Sequence, residues 1–274
     1  MSFRLILLFL FIIFNKTSVV AQQNKQDTTA QRKFYSAGQF MHESFAFIGQ
    51  PLSWKGNDWL KAGVITTAAI AIMPYDENIS RSIKGDQRYY NSAAVVGGKA
   101  YGEGYVIGGV MAAYGIYGLA AHDTGAKKIA IELLQSGLYA GAVTEVLKVV
   151  VGRARPYMEL GANTFQPFTF LNSGFQSMPS GHTTLAFALS TVLSRHANST
   201  ALKVLAFVPA GFTMFSRIYQ SDHWLSDEII GASVGYFTAN WVVDLHEGKS
   251  SRIKVTSLYL PRITYFLDCA SAQK

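Results

Sequence analysis

The stretch of sequence that decides the fold is 126–156, AKKIAIELLQSGLYAGAVTEVLKVVVGRARP. It is rich in Ala, Gly, Leu, Ile and Val, and Pro156 stands where a helix would stop, so it predicts a long helix over 126–151. Lys148 and Arg155 lie at the C-terminal end of that helix. A helix dipole favours basic residues there, so these two cations do not by themselves define a function.

Comparable apolar stretches along the rest of the chain predict further helices. The predicted ranges are 36–48, 58–73, 104–121, 181–196, 201–219 and 223–245. Asp58 stands where a helix cap is expected, and Asp76, after Pro74, stands where a stop is expected. The sequence has no repeat of fixed period. The predicted fold class is therefore an all-α helical bundle, in which 152–180 is the longest non-helical stretch and a candidate functional loop.

The composition excludes several classes of protein. Of the 274 residues 49% are hydrophobic and 15% are charged, which excludes wholesale disorder. Cys269 is the single cysteine, so an internal disulfide and a cysteine-based zinc site are excluded. The 24 Lys and Arg against 17 Asp and Glu suit nucleic acid, anionic lipid or a phosphorylated substrate. Nucleic-acid binding lacks support, because the basic residues are scattered.

The two ends of the chain differ from the middle. Residues 1–21 combine a basic start, an apolar run and small residues up to Ala21, which is typical of a cleaved secretory signal peptide; an uncleaved anchor is the alternative. Residues 22–33 are expected to form a polar lead-in, 34–249 the helical domain, and 250–274 an extended C-terminal tail. The mature protein is expected outside the cytoplasm.

The segment 178–184, MPSGHTT, precedes a predicted apolar helix. Ser180 and Gly181 at a helix start would aim a hydroxyl and free backbone N–H groups at an anion. His182 follows directly and could donate a proton. A plain serine N-cap beside an exposed histidine is the alternative interpretation.

The segment 216–227, SRIYQSDHWLSD, carries a third set of reactive side chains. His223 and Asp227 are four residues apart and would share one face of a helix. A carboxylate in that place can hold one imidazole nitrogen and leave the other free to attack. A surface His–Asp pair is the alternative.

The three segments read KxxxxxxRP at 148–156, PSGH at 179–182 and SRxxxxxHxxxD at 216–227. In this form and order they resemble the three signatures of the type 2 phosphatidic acid phosphatase family, which includes bacterial acid phosphatases and is related to vanadium-dependent haloperoxidases. The resemblance covers a core from about 125 to 245. It implies a helical bundle with the three motifs at one end.

The resemblance also implies which residues bind the substrate phosphate. Lys148, Arg155, Arg217, Ser180 and the Gly181 amide would hold the phosphoryl oxygens and stabilise their charge in the transition state. Arg153 could add a phosphate contact, or it could be a surface charge.

The resemblance implies three catalytic residues. His223 would attack phosphorus to form a phosphohistidine, with Asp227 fixing its orientation, and His182 would protonate the leaving alkoxide and then activate water. The resemblance implies no metal and no cofactor. His42, His122, His196 and His246 lie outside the motifs and are interpreted as structural or solvated.

The expected substrate is a lipid phosphate, of the phosphatidic acid, phosphatidylglycerol phosphate, polyprenyl pyrophosphate or lipid A class. Anionic phospholipid is thus the expected partner. The alternatives are a periplasmic acid phosphatase acting on soluble monoesters and a vanadium-dependent haloperoxidase. As membrane spans, 58–73 is short and contains Lys61, 126–151 contains several charged residues, and only 105–121 is free of charge, at 17 residues. We therefore expect an exported protein, either periplasmic and membrane-associated or integral with an outward-facing site. The sequence leaves the oligomeric state open.

Overall fold

A computed structural model describes residues 35–84 and 87–248, and this part of the chain is helical, without strands. The helices are α1 (Ala37–Ile48), α2 (Gly56–Ile72), α3 (Asp76–Lys84), α4 (Ala93–Tyr101), α5 (Gly104–Ala120), α6 (Thr124–Val151), α7 (Gly181–His196), α8 (Thr200–Leu205), α9 (Val208–Tyr219) and α10 (Leu225–His246). The described residues also include short helical turns at Gln50–Ser53, Met73–Tyr75, Gln87–Tyr89, Pro156–Met158 and Ser173–Phe175. The all-α prediction is confirmed.

Several predicted boundaries need correction. The predicted helix 201–219 is two helices, α8 and α9, and Pro209 lies in the first turn of α9, where its missing N–H costs nothing. Asp76 does not stop a helix; it begins α3, which the sequence did not predict, and α4 was also missed. The expectations for 1–33 and 250–274 lie outside the described residues.

The core of the bundle lies between α5, α6, α7 and α10. Its buried apolar residues are Ile107, Val110, Leu133, Ala140, Ala188, Leu189, Val192, Ala239 and Val243. Helices α7 and α10 approach each other most closely at Gly231 and Gly235. A β-carbon at Gly235 would lie 2.2 Å from the Thr184 carbonyl oxygen. These glycines therefore fix the start of α7 against the start of α10.

Much of the remaining apolar surface faces outward. Large hydrophobic side chains are exposed on α2, α5 and α9, for example Leu60, Ile116 and Phe212. Within the described residues, Thr200–Tyr219 is the one stretch long and apolar enough to cross a membrane by length and composition, and Gly104–Ala120 is apolar but shorter. Exposed apolar area of this extent is typical of surfaces that meet lipid or another protein.

Candidate active site

Three helix ends meet at one end of the bundle, and each carries one of the motifs. Lys148 lies in the last turn of α6, Ser180 is the N-cap of α7, and His223 precedes Trp224, the N-cap of α10, so the helix predicted over 223–245 begins only at Leu225. The backbone N–H of Ser180 donates to the Asp227 carbonyl at 3.1 Å, and a β-carbon at Gly181 would lie 3.2 Å from the Lys148 Nζ. The predicted convergence of the motifs is therefore present in the structure.

The turn after α6 brings the 152–180 loop back over this end of the bundle. Gly152 ends the helix at φ +60°, and any β-carbon there would overlap the Gln166 carbonyl oxygen at 1.9 Å. Further along, the Ser177 N–H donates to the Arg153 carbonyl at 3.0 Å. The loop thus carries Arg155 and Ser177 to the motif histidines.

The three motif cations face carboxylates. The Lys148 Nζ lies 2.7 Å from Glu145, and the Arg155 guanidinium lies 3.7 Å from Asp222. Arg217 also donates to Asp222, so this one carboxylate bridges the two arginines. A phosphoryl group has the charge and the acceptor oxygens to replace that carboxylate.

A hydrogen bond to the backbone fixes the tautomer of the buried His223 side chain. Its side chain is 2% exposed, and Nδ1 lies 2.7 Å from the Ser177 carbonyl oxygen. A carbonyl oxygen only accepts, so Nδ1 carries the proton and the lone pair is on Nε2. Burial lowers the pKa of His223 to about 4, and the charges of Arg155 and Arg217 add to this effect. The imidazole is therefore neutral, which is the state in which a histidine can act as a nucleophile.

Asp227 lies farther from His223 than its predicted orienting role suggests. Its Oδ2 is 3.9 Å from His223 Nδ1, but it accepts from the Ser177 hydroxyl at 2.5 Å and from the Trp224 N–H at 2.9 Å. Asp227 is thus connected to His223 mainly through Ser177, which the sequence did not single out. Burial opposes ionisation, but its partners, Arg153 among them, hold the pKa of Asp227 below its ordinary value.

Arg153 is neither a phosphate ligand nor a surface charge, so both expectations for it are wrong. Its side chain is 0% exposed and donates to Asp227 at 2.7 Å, to Asp76 at 2.8 Å and to Ser226 at 2.6 Å. It also stacks over Trp224, with 5.7 Å between the guanidinium carbon and the ring.

His182 has a partner that the sequence did not reveal. Its Nε2 lies 3.2 Å from a Glu103 carboxylate oxygen, an ion-pair contact whenever His182 is protonated. Burial, Arg217 and Lys99 lower the pKa of His182, and Glu103 opposes this shift. Gly102 makes the approach possible, because a β-carbon there would lie 2.8 Å from that of His182. The sequence signal for Glu103 is its place between Gly102 and Gly104, where α4 ends and α5 begins.

Glu228 is a second buried acid beside the site. It is 0% exposed, and the Thr183 hydroxyl donates to it. Burial raises the pKa of Glu228 to about 8, and the neighbouring Asp227 adds to this. The described residues contain no group of three His, Cys, Asp or Glu side chains that could hold a metal ion. The other histidines fit a structural or solvated interpretation, since His196 and His246 pair with buried glutamates at the opposite end of the bundle.

Comparison with known proteins agrees with this arrangement. Residues 130–250 match the PAP2 superfamily, and this segment contains all three motifs. This match confirms the resemblance to type 2 phosphatidic acid phosphatases. A stretch of 74 residues, 25% of this chain, is 40% identical to a lipid A 1-phosphatase of Porphyromonas gingivalis. The match spans only 17% of that relative's length.

Two crystal structures are similar to the chain. One is the first transmembrane PAP2 type phosphatidylglycerolphosphate phosphatase from Bacillus subtilis, with 23% identity and a TM-score of 0.53 over 70% of this chain and 96% of the other. The other is LpxE of Aquifex aeolicus, with 22% identity and a TM-score of 0.47 over 61% of this chain and 93% of the other. The first similarity establishes the shared helical fold.

Proposed function

We propose that the chain is a metal-independent phosphomonoesterase that dephosphorylates a lipid phosphate through a phosphohistidine intermediate. The observation that carries this proposal is the state of His223. Its Nδ1–H is tied to the Ser177 carbonyl, its ring is neutral, the charges of Arg155 and Arg217 act on it, and the Lys148 Nζ lies beside Gly181 at the same end of the bundle. A neutral nucleophile beside three cations suits attack on a dianionic phosphate ester.

The reaction follows from these positions in two steps. Nε2 of His223 forms a bond to phosphorus while the ester P–O bond breaks, and His182 gives its proton to the departing alkoxide. Water then attacks the phosphohistidine, His182 takes the water proton, and the P–N bond breaks to release phosphate and neutral His223. Arg155 and Arg217 stabilise the charge on the phosphoryl oxygens in both steps.

A lipid is the preferred substrate class for two reasons. The named relatives act on lipid A and on phosphatidylglycerol phosphate. The helices that carry the site also expose large apolar side chains, among them Phe212 and Phe215 on α9, close in sequence to Arg217. Hydrolysis of soluble monoesters is the second candidate, because Lys148 and the arginines recognise only the phosphate. Vanadium-dependent peroxidation in the same pocket is the third.

The location proposed for the active site is outside the cytoplasm, at or in the cell membrane. The signal-like residues 1–21 and the apolar stretch Thr200–Tyr219 support it.

The test of this function is phosphate release from dispersed phosphatidic acid by the full chain in EDTA. His223→Ala is expected to abolish release, whereas His42→Ala, at an exposed histidine on α1, is expected to leave it unchanged. Parallel assays with phosphatidylglycerol phosphate, lipid A and p-nitrophenyl phosphate separate the lipid from the soluble substrates. Full activity of His223→Ala would contradict the mechanism, and halide-dependent bromination without phosphate release would favour the peroxidase.

A further inference from the structure

A buried chain of charged groups runs from α3 to the nucleophile. Asp76, the first residue of α3, is 0% exposed, and its Oδ2 accepts from the Arg153 guanidinium at 2.8 Å and from the Ser226 hydroxyl at 2.5 Å. Its other oxygen accepts from the Ser226 N–H at 3.1 Å. Asp76 lies outside 130–250, the segment that matches the superfamily.

The chain continues from Arg153 to His223. Arg153 donates to Asp227 at 2.7 Å, Asp227 accepts from the Ser177 hydroxyl at 2.5 Å, and the Ser177 carbonyl accepts from His223 Nδ1 at 2.7 Å. Every link is a hydrogen bond. The side chains of Arg153, Asp227 and Ser177 are fully buried, and that of His223 is 2% exposed. A buried guanidinium that lacks one of its acceptors would turn toward other partners.

The net charge of these hydrogen-bonded groups explains why they include two carboxylates, Asp76 and Asp227. With Asp227 alone, Arg153 would cancel the carboxylate nearest to His223. With Asp76 added, two carboxylates face one guanidinium, so these three side chains together keep a net negative charge, opposite in sign to Arg155 and Arg217, which also act on the imidazole. That charge favours the positively charged phosphohistidine that forms when Nε2 attacks.

We infer that Asp76 is a positioning residue for His223, acting through Arg153 and Asp227. It fixes the guanidinium so that Asp227 and Ser177 hold the imidazole ring in its attacking orientation. This inference rests on the proposed function.

The experiment compares Asp76→Asn with Glu132→Gln in the full chain. The asparagine keeps the shape and the acceptor oxygen for Arg153 but removes the charge. Glu132 is equally buried but pairs with His196, about 24 Å along α6 from Lys148, so it controls for the general loss of a buried carboxylate. The substrate is ³²P-labelled phosphatidic acid, and rapid quenching gives the rate and the amplitude of acid-labile phosphate bound to the protein.

We expect Asp76→Asn to lower kcat and the rate of protein phosphorylation about tenfold, equivalent to about 1.4 kcal/mol, with KM unchanged. Glu132→Gln should retain the native rate. A loss confined to the amplitude would mean that only the folded fraction fell, and it would overturn the inference. An unchanged rate in Asp76→Asn, or an equal loss in Glu132→Gln, would overturn it as well.

A second variant covers the case in which Asp76→Asn fails to fold. Ser226→Ala keeps both charges and removes only the hydroxyl between Arg153 and Asp76, and we expect a loss of rate of about threefold, again without a change in KM. Failure of the proposed function is distinguishable, because the native chain itself would then carry no phosphate label. A native rate in Ser226→Ala would count against the positioning role.

Discussion

The contact between α10 and the start of α7 makes Gly231→Ala the sharpest test of how the site is built. A β-carbon at this position would lie 2.6 Å from the Ser180 carbonyl oxygen and 3.2 Å from the Ser180 nitrogen. Ordinary contact begins at 3.4 Å, so the two backbones must separate by about 0.8 Å. Because backbone atoms cannot rotate away as a side chain does, the shift moves the N-terminus of α7.

The displacement reaches the chemistry directly. Ser180 and Gly181 would bind phosphate, His182 follows them, and His223 lies on the other side of the contact. A misplacement of about 1 Å can cost about 100-fold in rate, so we expect kcat/KM of Gly231→Ala to fall about 30- to 100-fold. Overpacking should destabilise the fold by about 1–3 kcal/mol, offset by about 1 kcal/mol of helix propensity.

The assay is phosphate release together with thermal unfolding, with Gly141→Ala as the matched control. Gly141 lies inside α6 and has no atom within 4 Å of an added β-carbon, so this alanine should keep native activity and raise stability by up to about 1 kcal/mol. Activity of Gly231→Ala within twofold of native, or an equal loss in Gly141→Ala, would refute the argument that this glycine contact sets the site geometry.

Three further predictions concern ionisable groups. Glu103→Gln should slow hydrolysis of alkyl phosphates about tenfold but hardly affect p-nitrophenyl phosphate, because only a poor leaving group needs the His182 proton; equal losses on both substrates would contradict this. In an NMR titration of the free protein the His223 imidazole should become protonated near pH 4; protonation near pH 6.5 would show that burial does not lower its pKa. The contribution of Glu228 to stability should be fully present below its ordinary pKa of 4.5 and be lost as pH rises through about 8. Glu228→Gln should therefore make the thermal unfolding temperature less dependent on pH across that range. An unchanged pH dependence in this variant would contradict the raised pKa of Glu228.

The motif residues were accessible from the sequence because their spacing is local. Lys148 and Arg155 flank one helix end, and His223 and Asp227 are four residues apart, so each pair is close in the sequence, although His223 precedes α10 and does not share a helix face with Asp227. The site roles assigned to these residues remain predictions, but their meeting at one end of the bundle is visible in the structure. Helix breaks were less accessible, since the turn between α8 and α9 interrupts a continuously apolar stretch.

The sequence by itself determined the all-α class, the long helix of 126–151 and the identity of the motif side chains, because apolar patterning and short-range spacing depend only on neighbouring residues. Only the tertiary structure decided the partners of those side chains. Asp76 meets Arg153 across 77 positions, and Glu103 meets His182 across a helix junction, contacts that no local pattern encodes. Burial, which sets the ionisation of His223 and Glu228, likewise depends on the packing of several helices.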